Sequence, residues 1–451
     1  MSENKKYNYP KQLSIVRFLF NAESIRKNPI PFHKKYFDQF GDSFSLKIGK
    51  TKHVILSRDN EVAQYILQKN QKNYQKSELQ TKFISKYLGK GLLTANGDFW
   101  LKQRRLIQPA FHKQKMNQLV QNMQQTIVSE LRDLPEDKTV PLFPIMNQLA
   151  FNVVAKSLFH ISANEEKMNR LKVIITEVQA FLIKEIRLPY KAFWFKISGQ
   201  IKKHQYLALE SDAILREIAE ERIKSGIKQN DLLDMLLETR YEDSGEGMST
   251  QQLIDEIKIL FIAGHETTAN ALTFTMHLLG NYPEIQQKIM DELIEIESQT
   301  DDVIERLQKM TYTNAVINES MRLYPPAWIT DRENIEDDTL LGYHIKNKTL
   351  IGVSFYELHR NPKYWENPEE FNPERFLGEQ KKKSYQYFYP FGAGPRMCIG
   401  LGFAIYEMSL TLSYIVKKYK ITSYKKTVEF NPLITLKPVG VEVSFSKRDG
   451  K

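Results

Sequence analysis

The only cysteine of the chain, Cys398, sits near the end of the run Phe391-Gly392-Ala393-Gly394-Pro395-Arg396-Met397-Cys398-Ile399-Gly400. A lone thiol excludes an internal disulfide and any multi-cysteine zinc or iron–sulfur site. It leaves an inert core residue, a nucleophile or a single metal ligand. Two glycines and a proline ahead of it make a tight loop whose backbone can approach a flat ligand closely. Gly400 lets a helix start beside the sulfur, and the positive end of that helix, with N–H donors in the loop, would stabilise a thiolate. Arg396 can aim its guanidinium at a carboxylate on the same ligand. An inert cysteine requires none of this.

Three other places carry residues able to do chemistry. Ala263-Gly264-His265-Glu266-Thr267-Thr268 puts small and polar groups at the middle of a long apolar pattern. Taken alone, Thr267 reads as a hydroxyl bonded back to a helix carbonyl. Glu319 and Arg322 stand i, i+3 on one helix face, which by itself is an ordinary surface ion pair. Trp100 and Arg104, four apart, also share a face, and each arginine considered separately is a solvated charge.

Together these segments resemble the cytochrome P450 family. The loop has the form F-x-x-G-x-R-x-C-x-G, which is similar to that family's cysteine-ligand loop. Ala263 to Thr268 is similar to its oxygen-activating segment. Glu319-x-x-Arg322 precedes Leu323-Tyr324-Pro325-Pro326, and Phe371-Asn372-Pro373-Glu374-Arg375-Phe376 follows in the family's order. The resemblance runs from about Gly41 to Phe445 and departs at no motif position.

The resemblance implies a haem-thiolate monooxygenase that binds haem b, takes O2 as co-substrate and uses Cys398 as the iron ligand. It implies that Gly264 leaves room over the haem, while Glu266 and Thr267 deliver protons to dioxygen. Phe391, Gly392, Gly394 and Gly400 would shape the loop beside the haem. Arg104, Arg332 and Arg396, with Trp100 as an N–H donor, would meet the two propionates, because buried carboxylates demand cationic partners. Glu319, Arg322 and Arg375 would form a buried structural network. The substrate pocket would be built from residues 73–97, 181–195, 261–267 and 327–329, including Phe261, Ala263, Ala327 and Trp328. Phe193-Trp194-Phe195 is either an apolar lid or core. Trp328 either contacts substrate or packs on a sheet.

The elements that must position these residues are legible as patterns. Phe44, Leu46 and Ile48 alternate with polar residues, Gly49-Lys50 turns the chain, and Val54 and Leu56 resume the alternation, which predicts a hairpin. Helical periodicity dominates from about Asn60 to Ser320, with irregular stretches at 73–97, 187–199 and 241–247. Ser249 and Gln252 have capping-box spacing, opening a helix that runs to Leu279 before Gly280 and Pro283. Further helices are expected at about Asn314–Leu323 and Leu401–Lys418. The fold class is mainly α with small β-sheets (α+β), with residues 1–40 an N-terminal segment and 41–451 a single catalytic domain.

Composition sets bounds. No apolar run approaches the roughly 18 residues that span a bilayer. A polar start without a signal-peptide core points to a soluble, cytoplasmic protein. Lysine and arginine number 64 against 54 acids, a net charge of +10 scattered over the chain. Nucleic acid is not expected as a partner. With no flavin or nucleotide domain fused, electrons would come from a ferredoxin or flavodoxin with an NAD(P)H-dependent reductase, steered by Lys102, Arg105, Lys113 and Lys115. The protein is expected to be a monomer. A peroxide-driven relative and a non-catalytic haem-thiolate sensor are the alternatives. A small organic substrate is implied, oxidised by C-hydroxylation or oxidative O-demethylation.

Overall fold

The computed structural model describes residues 7–49, 52–160 and 165–448, and the side chains of residues 113, 114, 118 and 165 lie outside the description. Lys50, expected in the hairpin turn, and Lys113, expected to steer a partner, therefore fall outside what can be placed. The contacts divide the chain into two compact units. One comprises Met1–Ser77, Asn318–Cys398 and Phe430–Lys437, and the other Glu78–Ile317, Ile399–Glu429 and Pro438–Lys451.

The first unit is built on a mixed six-stranded sheet of β1 (Gln12–Leu13), β2 (Ser43–Ile48), β3 (Lys52–Ser57), β4 (Tyr74–Gln75), β5 (Ile329–Asn334) and β6 (Leu350–Ser354). Their spatial order is β1-β2-β3-β6-β5-β4. The hairpin read from alternation is β2–β3, antiparallel, with Phe44 opposite Leu56 and Leu46 opposite Val54. β1 adds a parallel edge, so part of the N-terminal segment is built into this sheet. One face packs through Phe44 and Leu46 on Phe32, Tyr36 and Phe37. A second cluster joins Ile55, Ile66, Ile351 and Val353 to Tyr389 and Ala393, and so ties the cysteine loop to the sheet.

The second unit is mostly helical. Among its elements are α1 (Gly97–Ile107), α2 (Thr250–Asn281) and α4 (Leu401–Lys418), while α3 (Thr311–Leu323) runs across the boundary between the units. Ser249 caps α2 by accepting the Gln252 N–H at 3.2 Å. The Gln252 side chain does not return to the cap but reaches Lys90 and Glu256, so only half of the expected capping box forms. α2 also runs past its expected stop, through Gly280 to Asn281. Gly280 serves close packing instead: a Cβ there would stand 2.6 Å from the Ser423 nitrogen. α3 starts three residues earlier than its pattern suggested, and α4 matches its expected limits. Among the described residues, no helix is long and apolar enough to cross a membrane.

Candidate active site

The cysteine loop is shaped by its glycines. Gly392 and Gly394 adopt φ of 70° and 68°, a region that costs side-chain-bearing residues energy. A Cβ on Gly394 would collide with the Leu67 carbonyl oxygen, so no larger residue fits. The Cys398 N–H donates to the Phe391 carbonyl at 2.9 Å, closing the loop on itself. Gly400 is the N-cap of α4, which puts the positive end of an 18-residue helix next to the cysteine in the chain. Cys398 is exposed, while the neighbouring Ala393 is buried, so the inert-core reading falls. Phe391 is half-buried.

In the same unit the sheet brings together cations that are remote in sequence. β4 pairs antiparallel with β5, Tyr74 opposite Asn334 and Gln75 opposite Glu333, so the next step of the register puts Lys76 beside Arg332. Both are buried, at 8% and 7% exposure. Burial pushes the Lys76 ammonium well below its usual range, and the positive charges of Arg332 and Arg396 push it further, with Asp331 opposing them. Arg396 is lowered to about 10 by burial and by Arg332. Arg332 also donates to the Asp331 carbonyl at 2.6 Å and the Thr330 hydroxyl at 3.2 Å. Three desolvated cations whose mutual repulsion meets Asp331 as the opposing carboxylate make a site for a group bearing more than one negative charge. The two carboxylates of haem fit it. Lys76 was not anticipated, because nothing in the Gln75-Lys76-Ser77 run marks it; only strand pairing does.

Glu319 and Arg322 form a different cluster. Both side chains are completely buried, with Nε–Oε2 at 2.7 Å and Nη2–Oε1 at 2.8 Å. Arg322 also donates to the carbonyls of His359, Pro368 and Glu370 at 2.7–2.9 Å. Glu319 further accepts the Asn372 N–H at 2.9 Å. Arg375 joins at the edge, its Nε 3.4 Å from Glu319 Oε1 and its Nη2 donating to the Asn367 carbonyl at 3.0 Å. The ordinary surface pair suggested by spacing alone is thus replaced by a closed buried network.

In the second unit, the middle of α2 breaks the burial on either side of it. Ala263 is exposed, and Gly264, Glu266 and Thr267 are half-buried, while Phe261 and Ile262 before them and Thr268 to Asn270 after them are buried. Thr267 Oγ1 donates to the Ala263 carbonyl at 2.8 Å, the back-bond expected of a helical threonine. Glu266 accepts from Gln179 Nε2 at 2.9 Å, a partner that no sequence pattern announced. Gly264 allows the closest packing here, since a Cβ would stand 3.0 Å from Val154 Cγ2. His265 is buried, with Nδ1 2.7 Å from the Phe261 carbonyl and its ring edge-on to Phe151. Its ring packs inside the helical core against Phe151.

α1 carries Trp100, buried, and Arg104, half-buried, whose Nε donates to Gln108 at 3.0 Å. Of the steering residues, Lys102 is exposed and ion-paired with Asp243 at 2.5 Å. Arg105 and Lys115 are exposed.

Two residues expected in the substrate pocket belong to cores. Phe261 has 0% exposure and stacks on Phe159 at 4.8 Å. Trp328, at 5%, stacks on His33 and donates its indole N–H to the Leu433 carbonyl at 3.0 Å, which settles its two readings in favour of packing. Ala263 and Ala327 keep accessible surface. In the 193–195 segment Phe193 and Trp194 are exposed, whereas Phe195 packs on Phe181.

Known proteins give this geometry its context. The chain matches the family "Cytochrome P450" over residues 8–445. It is 29% identical to cyclooctat-9-en-7-ol 5-monooxygenase of Streptomyces melanosporofaciens, covering 90% of this chain and 88% of that one. It is 30% identical to cytokinin hydroxylase of Arabidopsis thaliana, covering 93% and 84%. The fold superposes on the P450DA heme domain with a TM-score of 0.85 at 20% identity, covering 99% of both chains. Retinoic acid-bound cyanobacterial CYP120A1 gives 0.83 at 25% identity, covering 98% of this chain and 100% of that one. The chain belongs to the cytochrome P450 family and is a haem- and O2-dependent monooxygenase that requires a redox partner.

Proposed function

We propose that this monooxygenase oxidises a small apolar or amphipathic molecule, by C-hydroxylation or oxidative O-demethylation, with electrons from a ferredoxin or flavodoxin and its NAD(P)H-dependent reductase. The observation that carries the haem assignment is the cation cluster of Lys76, Arg332 and Arg396 within the unit that presents Cys398. When bound, haem supplies oxygen-activating iron, and a thiolate ligand strengthens electron donation to it.

The chain's own residues have distinct tasks. Cys398 provides the thiolate, held by the closed loop and favoured by the N-terminus of α4. Lys76, Arg332 and Arg396 neutralise the two carboxylates. The Thr267 hydroxyl, now donating to Ala263, is one rotation away from offering its proton elsewhere. Glu266, held by Gln179, can resupply that proton. Glu319, Arg322 and Arg375 brace the segment that leads to the cysteine loop. Relatives named for cyclooctat-9-en-7-ol and cytokinin, and one bound to retinoic acid, favour a compact organic substrate. The net charge of +10 favours an acidic redox protein, with Arg105 and Lys115 as its exposed contacts.

The test is a titration of the purified ferric holoprotein, following the haem absorption band. One panel holds fatty acids and terpenoids, the other methylated sugars and aryl ethers. A high-spin shift with the first supports the apolar reading; a shift with the second alone replaces it by ether cleavage. Cys398→Ser should abolish the thiolate-type spectrum of the carbon monoxide adduct and all turnover. Thr267→Ala should keep haem but divert electrons to peroxide, and unchanged coupling to product would remove Thr267 from proton delivery. Turnover on peroxide alone would instead indicate the peroxide-driven mode, and absence of O2 consumption with reductant a sensor.

A further inference from the structure

Near the start of α2, two adjacent buried carboxylates have no part in the site above. Asp255 Oδ2 accepts the Lys90 N–H at 2.8 Å, and Glu256 Oε2 accepts the Leu92 N–H at 3.1 Å. Gln252, one turn earlier, donates to the Lys90 carbonyl and to Glu256 Oε1, both at 3.0 Å. The turn they grip is closed internally: Thr94 Oγ1 donates to the Gly89 carbonyl at 2.8 Å and accepts the Gly91 N–H at 3.1 Å. Its glycines are required by the grip. A Cβ on Gly91 would stand 2.7 Å from the Glu256 carboxylate, and one on Gly89, at φ 79°, would collide with Asp255.

Apolar packing would hold a loop on a helix at lower desolvation cost than two buried acids. Acids bonded to main-chain N–H groups make a contact that breaks as a unit when water reaches it. We propose that Asp255 and Glu256 are positioning residues forming a latch that holds the Lys90–Leu92 turn against α2 and releases it to admit substrate. The access role rests on the reading that residues 73–97 border the substrate.

The latch responds to pH. Burial pushes the Glu256 carboxyl up from 4.5 to about 7, against the Leu92 and Gln252 donors, with the Asp255 charge adding to the rise. Charged groups on the neighbouring elements are committed elsewhere. Lys258 pairs with Asp212 and donates to the Tyr87 carbonyl. Lys86 and Tyr87 hold Glu185. Arg216 donates to Gln251, whose amide in turn donates to Asp255 Oδ1 at 2.9 Å, and Asp231 and Asp234 hold Arg222. Opening would return Glu256 to water and to its ordinary value of 4.5. The closed state therefore binds the proton more tightly and is favoured at low pH. As pH rises from 4.5 towards 7 opening becomes easier, on the order of a hundredfold across that interval, and above 7 it levels off.

The test uses the holoenzyme and two readouts between pH 5.5 and 8. Hydrogen exchange of peptides covering residues 89–94, corrected for intrinsic rates, reports the latch; carbon monoxide association with the reduced haem after photolysis reports access. Both should accelerate with pH and level off above about 7. Glu256→Gln, which still accepts the Leu92 N–H but cannot ionise, should stay slow and flat, and Glu256→Ala fast and flat. A pH dependence that survives in Glu256→Gln, or wild-type exchange in Glu256→Ala, overturns the latch. Exchange that responds while carbon monoxide association does not overturns the access role alone. Neither result bears on the substrate class, which the ferric titration decides.

Discussion

Two charge clusters in the same unit differ in how the cost of burying their cations is offset. In Glu319–Arg322 burial and the charges of Arg360 and Arg375 lower the arginine's pKa, and the adjacent carboxylate opposes that fall through both its hydrogen bonds and its charge. The pair is fully enclosed, and each guanidinium nitrogen meets an oxygen. In Lys76–Arg332–Arg396 burial also lowers the cations; cationic neighbours lower Lys76 and Arg396 further, and Asp331 opposes the fall at Lys76 and Arg332 by its charge alone. A balanced cluster is complete within the protein and serves the fold. A cluster with surplus positive charge costs stability on its own, a cost that an anionic group would offset.

Mutations can break this contrast. Arg322→Ala leaves Glu319 buried without its partner and should remove about 3–5 kcal/mol of stability, read by denaturant unfolding of the holoprotein. Replacing both by leucine should cost clearly less than that single change, and an equal loss would mean the pair is not balanced internally. Lys76→Met or Arg396→Leu should weaken haem retention by roughly ten- to a hundredfold, the worth of about 1.5–3 kcal/mol for a charge-assisted bond. The same variants should leave the apoprotein as stable as before or more so, because a repelling cation is gone. A matched loss of apoprotein stability would place them with the structural cluster. Arg375→Ala, at the edge of the balanced network, should cost only about 1 kcal/mol and leave haem affinity unchanged. A larger loss, seen in thermal unfolding, would extend the network to include it fully.

The contrast also explains how much was legible beforehand. The brace was readable as Glu319-x-x-Arg322 with Arg375 following, because a helix repeat fixes which two side chains meet. The anion site was only partly readable. Arg332 and Arg396 match family positions, but Lys76 stands in an irregular stretch and joins them through the pairing of β4 with β5. Phe261 and Trp328 show the same limit from the other side, since an aromatic at the right place in a motif can still turn into a core.

What the sequence determined by itself is local. The loop ending at Cys398, the hairpin of β2 and β3, the Ser249 cap and the limits of α4 each depend on backbone preferences and hydrogen bonds spanning a few residues, so residue types alone specify them. The tertiary structure decided the rest: which cations share a desolvated space, which glycines meet another segment, and which acids grip the Lys90–Leu92 turn. Those outcomes depend on the dielectric and the neighbours that packing creates around a side chain, and these come from segments far away in the chain.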